Sequence, residues 1–133
     1  MKKSTFCHII LVVMATVTFV GCSDRVAVTG TVTYADGSPV QVGQVVFTDD
    51  KLAFRGSLDQ NGAYKLGGIK NGDGITPGRY QIYLIDTETT ETDEKGNTRA
   101  IKHVAQKYLD PETSEITCEI KGKMDFDFEV KRP

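Results

Sequence analysis

The sequence predicts an all-β domain, a two-sheet sandwich of about seven short strands, set behind an N-terminal export signal. Three observations carry this. Past residue 25, apolar and polar residues alternate in short runs. The runs are broken by Gly, Asp, Asn and Pro. No stretch of the mature chain reads as a long amphipathic helix, so the period of the pattern is two rather than 3.6.

The first strand is expected over 26–34, VAVTGTVTY, where Val26, Val28, Gly30 and Val32 share one face with Ala27, Thr29, Thr31 and Thr33 on the other. β-Branched residues suit such a half-buried surface. Ala35-Asp36-Gly37-Ser38-Pro39 reads as a turn. Gln44 to Thr48 and Leu52 to Leu58 read as the next two strands. Asp59-Gln60-Asn61-Gly62 is a tight turn in which Gly62 takes a positive φ. Ala63 to Leu66 pairs back across it. A Gly-rich loop spans Gly67 to Gly78. Arg79 to Ile85 follows as a strong strand, with Tyr80, Ile82 and Leu84 on one face and Gln81, Tyr83 and Ile85 on the other.

Asp86 to Thr98 has no apolar residue and reads as an exposed loop or long hairpin tip. Ala100 to Leu109 fits either a strand or a helical turn. After the turn Asp110–Ser114, Glu115 to Lys121 aligns Ile116, Cys118 and Ile120. Met124 to Val130 aligns Met124, Phe126, Phe128 and Val130 against Asp125, Asp127 and Glu129. These last two runs are expected to form a hairpin around Gly122.

The 133-residue chain is long enough for one domain. It opens Met1-Lys2-Lys3, and Phe6 to Val20 then carries no Asp, Glu, Lys or Arg. A basic start, a short apolar run and a small residue at its end are the layout of a secretory signal. The run falls short of the roughly 20 apolar residues a stable bilayer crossing needs. Cleavage between Gly21 and Cys22 divides the chain into a signal peptide (1–21), a tether (22–25) and a β-sandwich domain (26–133). It removes two of the 16 basic residues and none of the 18 acidic ones, so the mature chain is net acidic by four. With no basic patch, a nucleic-acid partner is not expected.

Phe19-Val20-Gly21-Cys22 resembles the lipobox of bacterial lipoproteins, with Phe19 standing where Leu is usual. The resemblance implies a diacylglycerol on the Cys22 thiol and a further acyl chain on the freed amine. Two or three chains hold a protein far more firmly than one. Ser23 after the cysteine, rather than Asp, favours the outer membrane under the sorting used by enteric bacteria. Cys7 leaves with the signal, so Cys118 has no partner for an intrachain disulfide in the mature chain and reads as a core residue.

Further motifs carry a second resemblance. VTGTVTYADGSPV (28–40), VVF (45–47), DQNGAY (59–64) and PGRYQI (77–82) are similar to the carboxypeptidase regulatory-like domain, a transthyretin-like sandwich. The tail KYLDPETSEITCEIK (107–121) with DFDFEV (125–130) looks like small lipoproteins of planctomycete-type bacteria that carry this domain. The resemblance implies a prealbumin-like Greek-key sandwich of about seven strands, and no activity. Gly30 is expected where a facing element approaches closely. Tyr80 is expected to bury its ring and turn its hydroxyl toward backbone.

No catalytic residue, metal site, cofactor or small-molecule substrate is expected. His103 is the only mature histidine and has no marked nucleophile near it in sequence. Hydroxyisourate hydrolases share the transthyretin-like fold but carry several histidines and a Tyr-Arg-Gly-Ser ending, whereas this chain ends Glu129-Val130-Lys131-Arg132-Pro133. Asp49-Asp50, Asp59-Gln60-Asn61 and Asn71-Gly72-Asp73-Gly74 offer oxygen ligands, but none has the spacing of a calcium loop; turn chemistry accounts for them. The expected function is a membrane-anchored, non-catalytic module for binding or assembly at the cell envelope, with an envelope protein or glycan as partner. The alternative is a spacer lipoprotein with no discrete ligand.

Overall fold

The computed structural model describes residues 24–68 and 72–133, and Gly21 and Cys22 lie outside them. The described residues form a sandwich of two four-stranded sheets with an additional two-stranded hairpin. The strands are β1 (Val28–Tyr34), β2 (Gln44–Thr48), β3 (Ala53–Ser57), β4 (Ala63–Lys65), β5 (Gly78–Ile85), β6 (Glu88–Thr92), β7 (Thr98–Lys102), β8 (Ile116–Ile120), β9 (Met124–Asp125) and β10 (Phe128–Val130). The expected all-β sandwich is observed.

The first sheet centres on β1. β4 runs antiparallel on one side of it, and β9 and β10 run parallel on the other. The second sheet has the order β3-β2-β5-β8, antiparallel throughout. Arg55 and Gly67 exchange two 2.9 Å backbone bonds, joining the sheets at one corner. Alternation decides the faces: β1 is buried at every second residue, and β5 buries Tyr80, Ile82 and Leu84. Each large apolar side chain taken fully from water contributes about 1.5–3 kcal/mol. At the centre, the Phe47 ring lies 6.3 Å from Tyr64, 6.2 Å from Tyr80 and 6.1 Å from Phe126, within the range of favourable aromatic pairs.

One expectation is corrected. The runs on either side of Gly122 do not pair with each other. β8 lies against β5 in the second sheet, whereas β9 and β10 cross to the first and lie beside β1. Alternation specifies which face of a strand is buried. The inner faces of the two sheets are equivalent in that respect, so the pattern is silent on which sheet receives the strand.

Two open readings are resolved. Asp86 to Thr98 belongs to a hairpin, β6 against β7, with Thr90 opposite Ala100. Its turn is fixed by Asp93, whose carboxylate accepts the N–H groups of Lys95 and Asn97. Residues 100–109 are both of the expected alternatives in succession: β7 ends at Lys102, and a short 3-10 helix occupies Gln106–Leu109.

Candidate functional site

Among the described residues an open groove of about 560 Å³ lies on the outer face of the first sheet. It forms where β1, β4 and the β9–β10 strand meet, and sequence reasoning did not find it. Thr29, Thr31 and Ser57 supply hydroxyls, Lys65 an ammonium, and Asp59, Asp125 and Asp127 carboxylates. The signal that could have found the pair is present: Asp125 and Asp127 alternate with Met124, Phe126 and Phe128, so they face outward together.

The carboxylates have structural work at this point. Between β9 and β10 the strand breaks its ladder at Phe126-Asp127. The Thr31 N–H, which a regular neighbour would satisfy with a carbonyl, donates instead to Asp127 Oδ1 at 2.8 Å. The Thr29 hydroxyl donates to Asp125 Oδ1. Asp59 Oδ1 accepts the N–H groups of Asn61 and Ala63 at 2.8 and 2.9 Å, closing its own turn. The break turns the Phe126 carbonyl toward the core, where the Tyr64 hydroxyl donates to it at 2.5 Å. Burial, reinforced by Asp127, pushes the Tyr64 hydroxyl far above its ordinary pKa, so it stays protonated and remains a donor.

The other candidate residues are dispersed. His103 lies at the base of the β6–β7 hairpin, with its Nε2 2.7 Å from the Thr89 hydroxyl and its backbone N–H donating to the Thr87 carbonyl. Cys118 is 8% exposed on the inner face of β8, and burial raises its thiol pKa. A thiol held protonated is a poor nucleophile, and this position matches the expected core role. The structure does not bring His103 and Cys118 into contact through any hydrogen bond.

Asp49 and Asp59 behave as turn chemistry predicts, and Asn71 of the third acidic run lies outside the described residues. Asp49 Oδ1 accepts the N–H groups of Lys51 and Leu52, which lower its carboxyl pKa. Asp73 accepts the Gly68 N–H at 2.8 Å and pairs with Arg25 at 3.0 Å. Among the described residues no three His, Cys, Asp or Glu side chains converge as a metal site.

A second polar cluster lies at the opposite end of β1. The Arg132 guanidinium stacks 3.8 Å from the centre of the Tyr34 ring and reaches both Asp36 and Ser38 Oγ at 3.0 Å. Asp36 Oδ1 also accepts the Ser38 hydroxyl at 2.5 Å and the Ser38 N–H at 3.0 Å. These bonds, with those from Ser38 leading, hold the Asp36 carboxyl at about 2. The cluster ties the end of the chain to the β1 turn.

No family model matches the chain, and no curated protein matches its sequence. Among solved structures, the major pilin subunit BcpA of Bacillus cereus is similar with a TM-score of 0.50 at 17% identity, over 82% of this chain and 30% of that one. A DUF3823 family protein from Bacteroides ovatus is similar with a TM-score of 0.46, also at 17% identity, over 81% of this chain and 45% of that one. The chain therefore spans less than half the length of either. At such identity the likeness concerns the fold alone, an all-β domain.

Proposed function

We propose that the chain is an envelope lipoprotein: it is cleaved before Cys22, acylated there, and carries a non-catalytic β-sandwich module of the carboxypeptidase regulatory-like type at a membrane surface. The observation that carries the reading is a spacing. Val26 bridges to Ile75 with backbone bonds of 2.8 and 2.9 Å, so the fold is engaged four residues after Cys22. A lipid on Cys22 would therefore hold this β domain close to the membrane surface. No helix among the described residues is long and apolar enough to cross a membrane.

Binding or assembly is favoured over catalysis because the chemically capable side chains are committed elsewhere. Cys118 packs in the core, His103 is held by Thr89, and the groove carboxylates satisfy strand donors. The partner class that fits is an envelope protein or glycan, and the outer membrane is the favoured site. Labelling of growing cells with palmitate tests the anchor. Wild-type protein is expected to take up label and enter the membrane fraction. Cys22→Ser is expected to take up no label and either to enter the soluble fraction or to stay unprocessed, and unchanged label, or unchanged mature size with unchanged membrane partition, in that variant would defeat the reading.

A further inference from the structure

We propose that the domain stands on the membrane on the end of the sandwich where β1 begins, with phospholipid headgroups as the surface it meets, and that the β6–β7 hairpin forms its outward pole. The proposal rests on the anchoring at Cys22 argued above and adds an orientation to it.

Strand register defines the two ends. At the first, Val28 lies beside Met124, Gly78 beside Ile120, and Val26 beside Ile75, while Arg25 pairs with Asp73. Both sheets therefore contribute to the end from which the tether leaves. At the second, Tyr34 lies beside Val130 and Gln44 beside Ile85, and the hairpin continues beyond Ile85. The eight residues of β5 join the ends and span about 27 Å. Residues 22–25 reach at most about 14 Å even when fully extended. The tether thus keeps the first end close to the lipid and cannot bring the second end there in its place.

Charge opposes the remaining alternative, a domain lying flat. The hairpin segment holds Asp86, Glu88, Glu91, Asp93 and Glu94 against three basic residues, Lys95, Arg99 and Lys102. At the first end stand Arg25, Arg79, Lys121 and Lys123. Its acids Asp73 and Glu119 face Arg25 and Lys121, and Asp49 is bound to its own turn. With Asp24 and Asp50 this end is close to neutral. An anionic headgroup layer therefore repels the hairpin more strongly than the foot, and attracts the exposed lysines of the Lys121–Lys123 turn.

The test uses the lipidated protein in vesicles of phosphatidylcholine and phosphatidylglycerol that contain a headgroup-nitroxide lipid. A fluorophore is placed at Lys123→Cys or at Glu94→Cys, with the buried Cys118 left unreacted under native conditions. Lys121→Cys and Lys95→Cys provide a second pair at exposed positions. Vesicle flotation comes first. Quenching is expected to be severalfold stronger at positions 123 and 121 than at 94 and 95. Floating protein with equal quenching at both ends, or stronger quenching on the hairpin, overturns the orientation while the anchor stands. Protein that fails to float overturns the anchor, and the orientation falls with it.

Discussion

The backbone carbonyl of Phe126 occupies the space that a side chain at Gly30 would fill. A Cβ built on Gly30 would stand 2.0 Å from that oxygen and 2.6 Å from the Tyr64 hydroxyl that binds it. The break between β9 and β10 thus depends on a residue almost a hundred positions earlier in the chain. It also places Asp125 and Asp127 along the surface groove.

Gly30→Ala is therefore expected to destabilise the domain by about 3 kcal/mol, at the high end of the usual cost of overpacking, because the obstructing atom belongs to backbone. Urea unfolding followed by circular dichroism measures the effect. A loss below about 1 kcal/mol would show that the strand moves aside freely, against the typical overpacking cost.

Tyr64→Phe keeps the ring and removes the hydroxyl that donates to the Phe126 carbonyl. Leaving a buried acceptor unmet costs about 1–3 kcal/mol. The same unfolding measurement is expected to show a midpoint shift with an unchanged slope, since the surface exposed on unfolding is the same. A neutral substitution would mean that water replaces the hydroxyl at this point.

The Asp36 cluster gives a pH dependence of definite sign. The carboxyl is held at about 2 in the fold against its ordinary 3.8. A lowered folded-state pKa stabilises at pH above the ordinary value, and the contribution disappears as pH falls from about 4 toward 2. Carboxyl NMR titration should find Asp36 well below the ordinary aspartate value. Ser38→Ala, which removes the hydroxyl bond and keeps the backbone N–H, is expected to raise it more than Arg132→Ala, since that hydroxyl bond is the largest single cause of the shift. The reverse order would mean that Arg132 governs the carboxylate.

Cys118 sits on the inner face of β8 with a raised pKa, and its reaction with a thiol reagent should be slow in the native state and fast in denaturant. Counting thiols in denatured mature protein adds a check on the anchor. One reactive thiol per chain is expected, because a thioether at Cys22 does not react. Two would show Cys22 to be unmodified.

Much of the fold was legible in the sequence because β1, β5 and β8 each bury one face, and period-two alternation records that directly, while β2 shows as a short apolar run that buries Val45, Val46 and Phe47 in succession. Turn positions were legible for a different reason. Gly37 and Gly62 have φ of 84° and 71°, conformations that few residues other than glycine adopt, and Asp36 and Asp59 bind the turn N–H groups beside them. The destination of β9 and β10 was not legible. Their alternation is intact, but the choice of β1 over β8 as neighbour rests on Gly30, Tyr64 and the Phe126 carbonyl meeting in space. The groove was hidden for the same reason, since Asp125 and Asp127 come beside Thr29 and Thr31 only through that long-range pairing. The hairpin β6–β7 lacked an apolar face to announce it; its turn is fixed by Asp93, and Glu91 faces Arg99 at 3.0 Å across the strands.

The anchor at Cys22 is the central claim, and intact mass spectrometry of the protein extracted from membranes tests it most directly. The account predicts the mass of residues 22–133 increased by a diacylglyceryl group, with or without one amide-linked acyl chain. The unmodified mass of residues 1–133, or an unacylated chain cleaved elsewhere, would contradict it.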